Sequence, residues 1–336
     1  MHIRQILMRV FLLAALLLAS ATACVQYECN DTDITCNAAL DLVLIRLLGN
    51  VAPNQIYAAD GFTARLYRFD DPVGANQIEY NGSAGTTFVG PAGVAIDGRA
   101  YLGGSGAIII YMVDTTNLLL YRVESMLGAN QLEYNGSAGT AFAGPRGVAT
   151  DSAGRIYVAD QTNSLLYRFD DMAGTNQVEY NGSAGTAFAI IRDVAIDAAG
   201  RIYVAGGNAL LYRFDDMAGT NQVEYNGSAG TAFSGNLQGV AVDSSGRIYV
   251  TDAGNSLLYR FDDMAGTNQI EYDGTAGTAF GGLAQVTLDS SGRIYVAMGT
   301  PTDLVYRLDD MFGTNQVEYN GSAGTTFGAL YGVAVF

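Results

Sequence analysis

Carboxylates are the residues of this chain that recur at a spacing suited to chemistry. A short apolar run ending in Asp returns five times, at Asp97, Asp151, Asp197, Asp243 and Asp289. A ring of carboxylates is typical of a Ca²⁺ site. Each of these residues also stands directly before a short turn, where Asp accepts backbone hydrogen bonds. We therefore expect a turn role for them, with Ca²⁺ binding as the alternative and no other cofactor.

The residue types that are missing exclude several mechanisms. The only His is His2, there is no Lys, and the formal net charge is −16. Ser-His-Asp and Cys-His catalysis, His-based metal sites and a lysine Schiff base are therefore excluded from the chain after His2. Any catalysis would depend on carboxylates, hydroxyls, Arg and Tyr. So acidic a chain repels a phosphate backbone, and we expect no nucleic-acid partner.

The first 24 residues have the organisation of an export signal. Arg4 and Arg9 precede or enter a short apolar run, and ATAC follows at 21–24. This pattern resembles a bacterial lipoprotein signal, which implies removal of residues 1–23 and acylation of Cys24, by palmitate among others. Because Val25 follows the cysteine, the resemblance points to the outer membrane. Cleavage by an ordinary signal peptidase, giving a secreted or periplasmic protein, is the alternative.

Residues 24–52 are expected to form a tether. Cys29 and Cys36 are close enough in sequence to form a disulfide in an oxidising compartment. The segment 36–50 has apolar residues at helical spacing and ends at Gly49, which predicts a short amphipathic helix. This helix is too short to span a membrane. We expect it to dock on the following domain or to space that domain from the membrane.

From residue 53 the chain consists of repeats of about 46 residues. The motif [LV]YR occurs six times, with its tyrosine at Tyr67, Tyr121, Tyr167, Tyr212, Tyr259 and Tyr306. Within each repeat, four short segments of alternating apolar residues are separated by turn residues. Four strands in a repeat of this length are typical of a β-propeller blade. We therefore predict one all-β domain at 53–336, with six blades of four antiparallel strands.

One of these repeats resembles a known family. The segment GVAVDSSGRIYVTDAGNSLLYRFD, residues 239–262, is similar to an NHL repeat. The resemblance extends over 53–336 and implies the group of six-bladed propellers that includes the gluconolactonase-like enzymes. It implies the fold and leaves the function open.

The two ends of the repeat region are complementary. QIYAAD at 55–60 has the pattern of a second strand with no first strand before it. GVAVF at 332–336 has the pattern of a first strand with nothing after it. We expect these two segments to share one blade and close the ring, and we expect the other inner strands to begin at Gly93, Gly147, Asp193, Gly239 and Gln285.

The third and fourth strands are expected to form a hairpin around residues 172–175. Arg168 then lies opposite Glu179, and the same offset of eleven residues recurs in every repeat. Opposite charges across a hairpin contribute roughly 0.2–1 kcal/mol per pair. This register predicts that the recurring arginines and glutamates stabilise the sheets.

The repeats differ most in the loops of one face. In a propeller, the loop before each inner strand and the loop between the second and third strands lie on the same face. Variable loops on a constant scaffold are typical of a binding surface. The binding residues predicted there are Phe62, Arg146, Ile191, Arg192, Leu237, Gln238, Leu330 and Tyr331. Arg146 and Arg192 would bring two positive charges to the mouth of the channel, suited to a carboxylate, a sugar or a peptide.

Three functions are compatible with this pattern. A lipid-anchored binding propeller would present its variable face to a protein, peptide or glycan. A hydrolase or lactonase of the gluconolactonase-like type would hold a metal ion with acids and amides in its channel. A structural envelope protein would do neither. We favour the binding protein, expected as a monomer whose membrane contact is the lipid anchor.

Overall fold

The computed structural model describes residues 55–97 and 108–336. In these residues, 24 strands form six four-stranded antiparallel sheets. Each sheet is one blade, and the inner strands of the blades surround a central channel. The six-bladed propeller predicted from the sequence is confirmed. The signal segment, the three cysteines and the helix expected at 36–50 lie outside the described residues.

Each blade runs from an inner strand at the channel to an outer strand at the periphery. The blades are numbered 1 to 6 in the order in which their second strands occur along the chain. The inner strands are β24 (Leu330–Val335), β4 (Pro91–Asp97), β8 (Pro145–Thr150), β12 (Asp193–Ile196), β16 (Leu237–Val242) and β20 (Leu283–Leu288). The second strands are β1 (Ile56–Asp60), β5 (Ile109–Asp114), β9 (Ile156–Asp160), β13 (Ile202–Ala205), β17 (Ile248–Asp252) and β21 (Ile294–Met298).

The outer half of each blade is a hairpin. The third strands are β2 (Arg65–Phe69), β6 (Leu119–Val123), β10 (Leu165–Phe169), β14 (Leu211–Phe214), β18 (Leu257–Phe261) and β22 (Leu304–Leu308). The fourth strands are β3 (Ile78–Tyr80), β7 (Leu132–Tyr134), β11 (Val178–Tyr180), β15 (Val223–Tyr225), β19 (Ile270–Tyr272) and β23 (Val317–Tyr319). No helix in the described ranges is long and apolar enough to cross a membrane.

Blade 1 is shared between the two ends of the repeat region. Its strand order is β24-β1-β2-β3, so the last strand of the chain is the inner strand of the first blade. Strand β24 pairs antiparallel with β1, with Val333 opposite Ala58. The N–H of Phe336 also donates to the carbonyl of Gln55 at 3.0 Å. The predicted closure of the ring is confirmed.

Five of the inner strands begin earlier than the sequence predicted. Strand β16 begins at Leu237, and its register against β17 shifts between Leu237 and Gly239. A corresponding shift occurs in β8 between Pro145 and Gly147. Such a β-bulge leaves one residue without a partner and turns its side chain away from its neighbours. In blades 3 and 5 that residue is Arg146 and Gln238, and both line the channel mouth.

The apolar core is divided among the six contacts between adjacent blades, here called the blade seams. Between blades 3 and 4, Tyr157 and Leu166 pack with Phe188 and Phe214 in one buried cluster. The ring centroids of Phe188 and Tyr212 are 4.9 Å apart. Because each blade packs on two neighbours of the same kind, nearly identical segments meet nearly identical surroundings.

The register expected for the outer hairpin is wrong by one residue. Arg168 lies opposite Val178, and Tyr167 lies opposite Glu179. The reason is the turn, in which the N–H of Asp170 donates to Thr175 and Asn176 adopts the left-handed region with φ of 54°. The turn closes at Thr175, two residues before the partner expected for Asp170, and the left-handed Asn176 adds one residue to the return side, so the later pairs are displaced by one.

The corrected register gives the recurring arginines and glutamates different partners. Arg213 pairs with Asp215 two residues along its own chain, at 2.7 Å. Glu224 instead receives hydrogen bonds from blade 3, where the N–H and the hydroxyl of Thr186 donate at 2.5 and 2.8 Å. The same Glu–Thr contact occurs at all six seams, as Glu79–Thr325, Glu133–Thr86, Glu179–Thr140, Glu224–Thr186, Glu271–Thr231 and Glu318–Thr278.

A second polar contact at each seam explains why the outer loops are nearly constant in sequence. The hydroxyl of Tyr134 donates to the Oε1 atom of Gln177 in the next blade at 2.5 Å and accepts the N–H of Ala138. Gly174, with φ of +74°, lies against the ring of Tyr134, and a side chain there would overlap the tyrosine. The constant residues therefore hold neighbouring blades together.

Candidate functional site

The mouth of the channel is formed by one position from each blade, here called the mouth ring. It consists of Tyr331, Ala92, Arg146, Arg192, Gln238 and Ala284, in the order of blades 1 to 6. Each follows a buried residue and precedes the first channel residue of its inner strand. Five members of the ring line one small pocket, and only Ala92 does not. The six equivalent positions thus carry four residue types.

The two arginines of the mouth ring bind neutral groups. Arg146 donates to the Oε1 atom of Gln238 at 3.1 Å, and its guanidinium lies 5.0 Å from the ring centroid of Tyr331. Arg192 donates to the carbonyl of Leu237 at 3.2 Å. Ten other arginines of the described residues form ion pairs with described carboxylates, whereas these two do not, and neither does Arg168, which donates to the carbonyl of Asn176. The mouth therefore holds two positive charges whose hydrogen-bond partners are uncharged.

Burial affects both guanidiniums. Desolvation, followed by the positive charge of Arg192, lowers the pKa of Arg146 from its ordinary value. Desolvation likewise lowers the pKa of Arg192. Both groups nevertheless remain charged near neutral pH, because the guanidinium of arginine titrates far above it. Bringing two like charges together in a partly desolvated site is unfavourable unless an anion is placed beside them.

A second layer of residues lies directly below the mouth ring. Four blades have glycine here, and a Cβ on Gly147 would lie only 2.6 Å from the Cα of Asp193. Blade 4 carries Asp193 instead, whose Oδ2 accepts the N–H of Val240 on the next inner strand at 3.0 Å. Blade 6 carries Gln285, whose Oε1 accepts the N–H of Val333 at 3.1 Å.

Asp193 and Gln285 also contact each other across the channel. The Nε2 atom of Gln285 donates to Oδ1 of Asp193 at 3.2 Å, and both side chains are buried. Desolvation raises the pKa of Asp193 to about 7, against the opposing effect of hydrogen bonds from Val240 and Gln285 and of the charge of Arg146. This carboxyl group is the acid nearest to the two arginines in the mouth pocket, and burial disfavours its charged form.

The structure brings together only part of the predicted binding set. Arg146, Arg192, Gln238 and Tyr331 line the same pocket. Ile191, Leu237 and Leu330 are each 0% exposed and pack in the cores of the blade seams, so their placement on an exposed rim is wrong. The physical reason is strand alternation, because the residue before each member of the mouth ring points into the blade.

Phe62 lies on the predicted face, but in a loop between a second and a third strand and not beside the inner strands that carry the mouth ring. It lies in the turn between β1 and β2 and is 80% exposed. Its ring borders Gly328, where an added Cβ would lie 2.5 Å from Cδ1 of the phenylalanine. Its predicted role in binding stays a prediction.

The loops of this face are held by aspartates at the ends of the second strands. Asp160 is fully buried and accepts the N–H groups of Ala143 and Gly144 from the loop before the inner strand, as well as those of Thr162 and Asn163 in its own turn. Equivalent bonds are formed by Asp60, Asp114 and Asp252. Blades 4 and 6 have Gly206 and Met298 at this position.

The five recurring aspartates lie at the opposite end of the inner strands. The Oδ1 atom of Asp151 accepts the N–H groups of Ala153 and Arg155, and its Oδ2 forms an ion pair with Nε of Arg155 at 2.6 Å. Asp197, Asp243 and Asp289 form the same ion pairs. Within the described parts of the chain, no three acidic, cysteine or histidine side chains are grouped to hold a metal ion.

The channel below the second layer is lined mostly by apolar side chains. It contains a cavity of about 220 Å³ whose walls are formed by the inner strands. Five blades present alanine at the middle of the wall, as in Ala149 and Ala241, and blade 6 presents Thr287. These walls offer few polar groups for catalysis. The chemistry of the channel is therefore concentrated at its mouth.

Sequence reasoning did not select Asp193 and Gln285 as site residues. The signal was available, because aligned repeats have glycine at this position in four blades and a polar residue in two. What the alignment does not give is that the two side chains, 92 residues apart, meet across the channel.

Comparisons with known proteins agree with this architecture. Residues 142–169 and 235–261 match the NHL repeat family. No curated protein sequence matches the chain. A protein of unknown function from Bacteroides caccae superposes with a TM-score of 0.60 at 12% identity, covering 84% of this chain and 99% of that one.

A second solved structure is also similar to this chain in fold. Virginiamycin B lyase from Staphylococcus aureus superposes with a TM-score of 0.51 at 12% identity, covering 80% of this chain and 85% of the lyase. At this identity the likeness concerns the fold alone. The chain is a six-bladed β-propeller in which two segments match the NHL repeat.

Proposed function

We propose that this propeller is a binding protein that takes an anionic ligand at its channel mouth. The observation that carries the proposal is the pair Arg146 and Arg192, whose hydrogen bonds go to the neutral oxygens of Gln238 and Leu237. In a chain with a formal charge of −16, two neighbouring arginines that form no ion pair are a local exception. Ligand recognition accounts for that exception.

The contrast with the other arginines supports this proposal. Arg155, Arg201, Arg247 and Arg293 each pair with an aspartate of their own turn. Their charges are therefore used within the fold, whereas the charges at the mouth remain available to an incoming anion. The hydrolase alternative has no comparable support, because its acidic ligand set is not found among the described residues.

Thermal unfolding in the presence of simple anions tests the proposal. Acetate, succinate, glucuronate and phosphate, compared with chloride at equal ionic strength, are expected to raise the Tm in a concentration-dependent manner, because a ligand that binds the native state stabilises it. The variant Arg146→Glu/Arg192→Glu is expected to lose the increase. The matched control is Arg155→Glu/Arg201→Glu, which reverses two charges on the opposite face. Equal anion effects in all three proteins would refute the proposal.

We further propose that the protein is exported and lipid-anchored in the cell envelope, with the outer membrane as its site. The support is the sequence at 1–24, which resembles a lipoprotein signal ending in Cys24. Mass spectrometry of the mature N-terminus is expected to find acyl chains on Cys24. A free amine and thiol on this residue would show that the protein is processed by an ordinary signal peptidase.

A further inference from the structure

We infer that the ligand of the channel mouth is the C-terminal carboxylate of a polypeptide. This inference rests on the proposed function, because it names the chemical class of the anion that the two arginines bind. It draws on the donors of the arginines, the size of the pocket, the acid below it and the side chains around it.

The donors are suited to a planar anion. A guanidinium has five N–H groups in a fixed fork, which matches the two oxygens of a carboxylate. Arg146 uses one terminal nitrogen for Gln238, and Arg192 uses one for Leu237. The stacking of Arg146 on Tyr331 and its bond to Gln238 fix its orientation before a ligand arrives, which reduces the entropy lost on binding.

The pocket limits how much of the ligand can enter. Its volume is about 10 Å³, which is room for one group of the size of a water molecule. A single carboxylate oxygen can therefore enter between the arginines while the rest of the ligand stays above the mouth.

The acid below the pocket favours a ligand with one negative charge. Asp193 lies under the arginines, with its two oxygens bound to Val240 and Gln285. Whenever this carboxyl group is ionised, the two arginines and the acid together carry one net positive charge, which a monoanion neutralises. A C-terminal carboxylate carries one charge at neutral pH.

The surface around the mouth is more suited to a peptide than to a glycan. Tyr331 is 39% exposed, and Phe62, Val89 and Ile190 on the same face are between 47 and 80% exposed. Apolar side chains offer contact area to the last residues of a peptide and no hydrogen bonds to the hydroxyls of a sugar. Capture of a C-terminal carboxylate is an established mode of peptide recognition.

The test uses an array of randomised decapeptides, each synthesised with a free and with an amidated C-terminus, and the purified propeller-containing chain. Amidation removes the charge and leaves the sequence unchanged. Free peptides are expected to bind at least tenfold more tightly than their amides, a preference that Arg146→Gln/Arg192→Gln should abolish. Arg155→Gln/Arg201→Gln, with the same loss of charge on the other face, should retain it.

The possible outcomes separate this inference from the proposed function. Equal binding of free and amidated peptides overturns the inference. Binding of glucuronate or phosphate at the arginines without binding of any free peptide also overturns it, while the anion site of the proposed function stands. If neither the simple anions nor the peptides distinguish the mouth variant from its control, both proposals fail.

Discussion

The six blade seams and the mouth ring are built from the same repeats, yet they differ in how far the repeats agree. At every seam a threonine donates its N–H and hydroxyl to a glutamate of the next blade, as in Thr140 and Glu179. At the mouth, the six equivalent positions carry four residue types. The seam positions each need a complementary partner in the adjacent blade. The mouth positions lie beside bulges or strand ends, where no contact recurs from blade to blade.

This difference shows where function can vary in a symmetric ring. A change at one seam must be accommodated by the next blade, because Tyr225 binds Gln269 and Glu271 binds Thr231 across the same boundary. A change at the mouth instead meets other mouth residues, as Arg146 of blade 3 contacts Gln238 of blade 5 and Tyr331 of blade 1. Specificity can therefore be altered there without disturbing the bonds at the seams.

The largest loss of stability is expected at the seam that closes the ring. Deleting Gly332–Phe336 removes the buried Val333 and the bonds of β24 to β1 and Gln285. We expect a loss of about 5 kcal/mol or more in the free energy of unfolding, measured by urea denaturation, because a blade without its inner strand exposes two seams. Phe62→Ala, at an exposed position of the same blade, should stay within about 0.5 kcal/mol of the wild type. An unchanged urea midpoint for the deletion would contradict the closure.

Replacement of Asp193 by Asn is expected to have the next largest effect on stability, and the size of this effect should depend on pH. The pKa of Asp193 is raised to about 7 by desolvation, so the native state holds its proton up to pH values at which the unfolded chain has released it. The stability of the wild type relative to Asp193→Asn should therefore be greatest below pH 4 and fall by up to about 4 kcal/mol as the pH rises to 7 and above. Urea denaturation at a series of pH values measures this difference.

The control variant for this pH profile should show a pH dependence of stability with the opposite sign. Hydrogen bonds from Thr175 lower the pKa of Asp171 in the outer hairpin. The advantage of the wild type over Asp171→Asn should therefore be present above about pH 4 and be lost as the pH falls further. If the Asp193 profile is flat between pH 4 and 7, the carboxyl group does not titrate in a buried site.

Breaking one polar seam contact should have a smaller effect. Glu224→Gln removes the charge that accepts both donors of Thr186, and we expect a loss of about 1–2 kcal/mol in the free energy of unfolding. Thr186→Val should cost a similar amount, and the double variant should cost less than the sum. Strict additivity of the two losses would show that the contact contributes nothing.

The pH dependence of this seam can be stated as well. Desolvation tends to raise the pKa of Glu224, but the hydrogen bonds from Thr186 outweigh it and the pKa is lowered. The stabilisation should therefore be present above the unfolded pKa of about 4.3 and be lost as the pH falls through the lower native value. The difference between the wild type and Glu224→Gln, measured from pH 3 to pH 6, checks the sign.

The smallest effect tests the corrected hairpin register. A double-mutant cycle between Arg213 and Asp215 should give a coupling of about 0.2–1 kcal/mol, since the pair lies partly in solvent. The cycle between Arg213 and Glu224 should give a coupling near zero, because Tyr212 and not Arg213 lies opposite Glu224. The reverse result would restore the register expected from the sequence.

The candidate site was partly predictable. Variation among aligned repeats led to Arg146 and Arg192, which the structure places in one pocket with Gln238 and Tyr331. The same reasoning assigned Leu237 to the surface, although it is fully buried. Variation among repeats does not say which way a side chain points. That direction depends on the strand alternation beside the bulge between Leu237 and Gly239.

The sequence by itself determined the repeat length, the four strands of each blade, the number of blades and the closure by the last strand. These properties follow from local periodicity and from turn residues, which are set by neighbours in the chain. The tertiary structure decided the partners of the charged residues. Glu133 meets Thr86 and Asp193 meets Gln285, contacts that join residues 47 and 92 positions apart. Such contacts exist only once the blades have packed around the channel, because the angle between successive blades, and not the order of residues, brings these side chains together.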